Sequence, residues 1–133
     1  MEKEEKMREL THLFAEMVVY EAFDGQQLSV GNGPMGYAMA SRWFKYAFSN
    51  CVLAVRKNTD YSGGLSPIKS TGMVGIATRI IDKAARLFNL VSGLNRKIAI
   101  GDETPEDTLR DLSNYGIIGV MLQHDEFDVW QDE

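Results

Sequence analysis

Apolar residues recur at helical spacing over most of the chain, and strict alternation of the kind a half-buried strand needs is absent. Met7, Leu10, Leu13, Phe14, Met17 and Val18 form one stripe, while Arg8, Glu9 and Glu16 lie elsewhere around the same helix. This pattern predicts an amphipathic first helix that ends before Asp24-Gly25, with Glu2 to Lys6 as a solvated start. Glu16 and Glu21 are its only acids deep enough to join a site. Gln26 to Gly36 is glycine-rich and reads as a loop around Gly31-Asn-Gly-Pro34. Its glycines offer backbone amides to an anion, but without a neighbouring strand and helix a plain loop is the expectation.

Tyr37 to Lys57 predicts a second helix, apolar on more than one side. Ala40, Trp43, Phe44, Ala47, Cys51, Val52 and Val55 make its inner face, widened by Tyr37, Tyr46 and Phe48. Such width calls for two packing partners, so this helix is expected to be nearly fully buried, or to lie at a contact between copies of the chain. A third helix is expected from about Ser70 to Ser92. Ile80, Ala84, Leu87 and Val91, with Ile81 and Phe88, form its core stripe. Arg79, Asp82, Lys83, Arg86 and Asn89 fall on its polar face.

The start of the last helix is marked by Thr104 as N-cap, Pro105 at the first position and Asp107 where a capping-box acid reaches back. Capping does not account for Asp111 and Asn114, which share a face with Asp107 in mid-helix, where both residue types are mediocre helix formers. Leu109, Leu112 and Gly116 mark another face. The polar stripe then runs into the apolar Tyr-Gly-Ile-Ile-Gly-Val-Met-Leu122. Buried carboxylates without partners are costly, so the stripe is either a site or an ion-pair network. Asp111 is expected to face an open cleft. The whole reads as an all-α fold, a helical bundle of four main helices in a single domain over residues 1–133. An acidic tail occupies 124–133, where Phe127 and Trp130 are placed to dock one more helical turn.

Composition narrows the chemistry. Net charge is −5 over 133 residues, which argues against broad duplex-DNA binding but leaves room for a local basic pocket. One cysteine, Cys51, excludes an intrachain disulfide and suits a cytoplasmic protein; it is read as a small core residue. No signal peptide and no membrane span are evident. Neither His12 nor His124 has a metal-ligand neighbour pattern, so zinc is not expected.

Three segments carry a resemblance. Lys57-Asn58-x-Asp60-Tyr61, Arg79-Ile-x-Asp-Lys-x-x-Arg-Leu-x-Asn-Leu90 and Asp102-Glu-x-x-x-Asp-Thr-Leu-x-Asp-Leu-x-Asn-Tyr115 occur in that order. Together they resemble the nucleotide modification associated domain of the first type, a small domain of phages and bacteria, over residues 52–123. The resemblance implies a role beside enzymes of nucleotide or DNA-base modification. A looser similarity is to the MazG-type all-α nucleotide pyrophosphohydrolases, which hold Mg²⁺ with acids on two helices. Their Glu-Glu-x-x-Glu motif has no counterpart here, and Tyr37 to Arg56 contains no carboxylate.

The resulting expectation is a phosphorylated nucleotide bound between the third and last helices. Arg79, Lys83 and Arg86 would hold phosphate, with Asn89 beside them. Asn114 would meet base or sugar, and Lys57, Asn58, Asp60 and Tyr61 would close over the ligand. Asp82, Glu103, Asp107 and Asp111 are the candidate Mg²⁺ ligands. The alternatives are a Mg²⁺-dependent nucleoside triphosphate pyrophosphohydrolase and a non-catalytic interaction domain. The exposed width of the second helix also predicts a homo-oligomer.

Overall fold

The computed structural model describes residues 2–59, 66–93 and 103–127. Four helices and one very short hairpin account for nearly all of them, so the fold is all-α. The elements are α1 (Glu2–Ala22), β1 (Ser29–Val30), β2 (Gly33–Pro34), α2 (Tyr37–Thr59), α3 (Pro67–Ser92) and α4 (Pro105–Gln123). Two compact units share them, residues 1–49 and 50–133, so that α2 contributes its first part to one unit and its last part to the other. The stretch 52–123 that carries the family resemblance falls wholly within the second.

In the first unit α1 ends where the pattern predicts, with Asp24 and Gly25 both at positive φ and the Gly25 N–H donating to Tyr20 O at 2.8 Å. The Gly31-Asn-Gly-Pro34 stretch forms an antiparallel hairpin, Val30 opposite Gly33 and Ser29 opposite Pro34. The covered face of α1 is rotated from the expected stripe. Ala15 and Val19 are buried, whereas Leu10, Leu13, Met17 and Val18 are exposed. Contact runs instead through small residues and through Phe14, whose ring meets Phe44 of α2 at 5.1 Å between centroids.

The expected burial of α2 is overturned. Ala40 and Asn50 are its only buried residues; Trp43, Tyr46, Phe48, Cys51 and Val55 are exposed. Much of its aromatic width stays exposed among the described residues, and Cys51 is a surface thiol, not a core residue.

In the second unit α3 begins earlier than expected. Ser66 caps it, accepting from Lys69 N at 3.3 Å, and Pro67 occupies the first turn. Gly72 then breaks the helix at φ 59, ψ −146, a conformation essentially restricted to glycine. The short first turn brings Ile68 into the core with Ile76 of α3 and Ile118 of α4, and Ile80, Tyr115, Leu122 and Phe127 pack around them. Phe127 docks outside any helix, while Trp130 lies outside the described residues. Close approach of α3 and α4 centres on Gly119, where an added Cβ would stand 3.4 Å from Ile76 Cγ2. The inner face of α3 is also turned: Ile81, Phe88 and Val91 are exposed, and half-buried Lys83 replaces them.

Candidate functional site

Lys83 is turned inward because two carboxylates await it. Its Nζ lies 3.2 Å from Glu103 Oε1 and 3.0 Å from Asp111 Oδ2. Asp111 Oδ1 accepts from Lys57 Nζ at 2.9 Å, and Glu103 Oε2 accepts from Arg86. The result is a ladder of alternating charge, Lys57–Asp111–Lys83–Glu103–Arg86, across α2, α3, α4 and the residue just before the Thr104 cap. Thr108 adds an O–H bond to Glu103 at 2.9 Å. Burial pushes the Glu103 carboxyl up, but Arg86, Thr108 and Lys83 outweigh it and bring it from 4.5 down to about 2. Asp111 follows the same logic: burial opposes its charge, Lys57 and Lys83 favour it, and the net direction is down. Lys83, in turn, resists burial through its two acids and is held above its ordinary value.

Asp111 therefore borders a cavity with its charge already paired. Its side chain is 13% exposed, and both oxygens are occupied by lysines. Asp107 completes the capping box, its Oδ2 accepting from Thr104 N at 3.1 Å while its own N–H donates to Thr104 Oγ1. Asp82 is exposed on α3. Of the four expected metal ligands Glu103 and Asp111 meet, but on Lys83, while Asp107 is taken up by the cap and Asp82 is exposed. Among the described residues no three of the usual metal-ligating side chains gather, and the expected Mg²⁺ centre does not fit them.

Beside the ladder lies a cavity of about 390 Å³ lined by Lys57, Asn58, Arg79, Asp111, Asn114 and Tyr115, with Ala54, Pro67, Ile68 and Ile118 as its apolar wall. Five of the residues singled out by spacing, Lys57, Asn58, Arg79, Asp111 and Asn114, are brought together here. Lys83 and Arg86 are held by acids instead, and Asn89 and Asp82 are not among the lining residues. Asp60 and Tyr61 lie outside the described residues.

Asn114 is buried, and its amide donates to Asn50 O at 3.1 Å, while Arg110 Nη1 donates to Asn50 Oδ1 at 2.8 Å. Asn50 thereby anchors α4 to the last part of α2. Tyr115 and Ile118 belong to the apolar run of the last helix and Ile68 was not singled out, and only the cavity shows that they line a wall.

Arg79 differs from the other cations of this region. It is half-buried, lines the cavity, and has no carboxylate partner among the described residues. Lys57 and Arg86, the two ends of the ladder, are equally exposed at 56%, and of the two only Lys57 lines the cavity. Among the described lining residues the charges are Arg79 and Lys57 against Asp111, a net of +1 in a chain of net −5. No protein-family model matches the chain, and it matches neither a curated protein nor a solved structure.

Proposed function

We propose that the second unit binds a phosphorylated nucleotide in this cavity. The observation that carries the reading is Arg79, a half-buried guanidinium lining the cavity with no carboxylate partner among the described residues. A guanidinium grips phosphate bidentately, and leaving one buried without an anion is costly, so the position favours an anionic ligand. Lys57 supplies a second, movable charge. Asn58 donates to Ala54 O at 2.8 Å, which leaves its side-chain carbonyl for a ligand N–H or hydroxyl. Tyr115, Pro67, Ile68 and Ile118 offer the apolar surface that a base or sugar requires. A volume of about 390 Å³ lies in the range of small-molecule pockets. Resemblance of residues 52–123 to the nucleotide modification associated domain points the same way. Lys83 and Arg86, expected as phosphate ligands, serve in this reading to position α3 against α4.

A cytosolic setting suits such a ligand. Among the described residues no helix is long and apolar enough to cross a membrane, and Cys51 is a free, exposed thiol.

The test is a thermal-shift panel of nucleoside mono-, di- and triphosphates, with and without Mg²⁺, on wild type and Arg79→Ala. At about 100-fold excess over its dissociation constant a ligand adds about 2.7 kcal/mol, so wild-type melting rises by several degrees. Arg79→Ala should melt like wild type without ligand and weaken binding by about 10- to 100-fold, the worth of a charge-assisted hydrogen bond. A panel that leaves wild type unshifted removes the reading.

A further inference from the structure

The first unit holds a cavity of its own, about 420 Å³, whose lining includes His12, Glu16, Tyr20, Gly25, Pro34 and Tyr37. Its chemistry is opposite to that of the cavity beside Arg79. No lysine or arginine is among its described lining residues, and Glu16 is the one carboxylate there.

The polar groups form a relay. His12 Nε2 stands 2.9 Å from Glu16 Oε1, and His12 Nδ1 stands 2.5 Å from the Tyr37 hydroxyl. A carboxylate only accepts, so Nε2 carries a proton. In the neutral imidazole Nδ1 then accepts from the Tyr37 O–H. Every member is thus oriented, and Glu16 Oε2 remains without a partner among the described residues.

Two aromatic rings border the cavity, and one of them is seated by glycine. Gly25, at φ 78, lies so close to the Tyr20 ring that an added Cβ would stand 3.2 Å from Tyr20 Cε2. Absence of a side chain at position 25 lets the ring lie against the backbone and stay beside the cavity.

We propose that this cavity is a second ligand site, taking a flat aromatic or heteroaromatic ring that carries a positive charge or an amino donor. Glu16 Oε2 accepts from that donor, and Tyr20 and Tyr37 flank the ring, where aromatic faces favour cations. Anionic ligands are excluded by the same carboxylate. The site is independent of the nucleotide reading of the second unit.

Benzamidine is a suitable probe, with benzoate as a control of like shape and opposite charge, in a ¹⁵N NMR titration of the whole chain. Benzamidine should shift the amides of His12 to Tyr20, Gly25 to Gln27 and Tyr37, and benzoate should shift none of them. Glu16→Gln, at a half-exposed position, should weaken benzamidine about tenfold. Tyr20→Leu should weaken it while benzoate still fails to bind. Equal response to benzoate, shifts confined to other residues, or undiminished affinity in Glu16→Gln would each overturn the proposal.

Discussion

Glu103 stands one residue ahead of the α4 cap and gathers Lys83, Arg86 and Thr108 around one carboxyl group. Its folded-state value of about 2 lies below the ordinary 4.5, so the fold favours its charged form. The associated stability is present above pH 4.5 and is lost as pH falls from 4.5 toward 2. Asp111 acts in the same direction below its ordinary 3.8. Lys83 acts oppositely: it is raised above 10.5, so its share is full below that pH and fades only above it. Melting followed from pH 7 to pH 3 should therefore show Glu103→Gln about 1–2 kcal/mol less stable than wild type at pH 7, after allowance for solvent screening. That gap should narrow steadily as pH drops below 4.5 toward 2. A gap that persists unchanged at pH 3 would mean that the carboxylate charge is not what the ladder uses. At this scale the spacing of polar residues was informative: Asp111 and Asn114 stood out because polar groups in mid-helix need a reason, Arg79 through the polar face of its helix, and Lys57 through the polar segment it begins. Their partners were not legible, because pairing of Lys83 with both Glu103 and Asp111 depends on helix rotation that no local pattern records.

Helices of the second unit are shaped by glycines that play opposite parts. Gly72 holds φ 59, ψ −146 and separates the Pro67 turn from the rest of α3, which is how Ile68 reaches the core. Gly116 sits exposed in α4, with helical backbone and nothing within 4 Å of an added Cβ. Gly72→Ala should lower stability by about 1–3 kcal/mol, the cost of forcing a side chain into that backbone region. Gly116→Ala should raise it by about 0.5–1 kcal/mol. Urea titration of the two variants checks both signs. Element ends were legible wherever local chemistry writes them, at Asp24-Gly25 and at Thr104-Pro105 with Asp107. The start of α3 carried the same kind of mark, Ser66-Pro67, but the break at Gly72 hid it behind an interrupted pattern. Buried faces were the weak point. An apolar stripe such as Leu10, Leu13 and Met17 says which surface would gain from being covered, not whether this chain covers it.

Much apolar surface is left uncovered across the molecule. Met39, Trp43 and Tyr46 share one face of α2 and are all exposed, Trp43 at 62%; Leu10, Leu13 and Met17 do the same on α1. We propose that copies of the chain associate through such surface, since monomers rarely expose contiguous apolar patches of this kind. Light scattering at micromolar concentration should report a dimer or larger, and Trp43→Glu should shift it toward monomer. A wild type that scatters as a monomer would dismiss the idea.

The alternating ladder has a consequence for how substitutions combine. Lys57 and Arg86 never meet, yet each shares an acid with Lys83, so the effect of losing one depends on whether the other remains. With Lys83 neutralised, by substitution or by acetylation, the five-membered chain falls into two separate pairs, Lys57 with Asp111 and Arg86 with Glu103. Lys83 is thus the joint through which the last turn of α2 and the approach to α4 sense each other's charge, and without it they become independent.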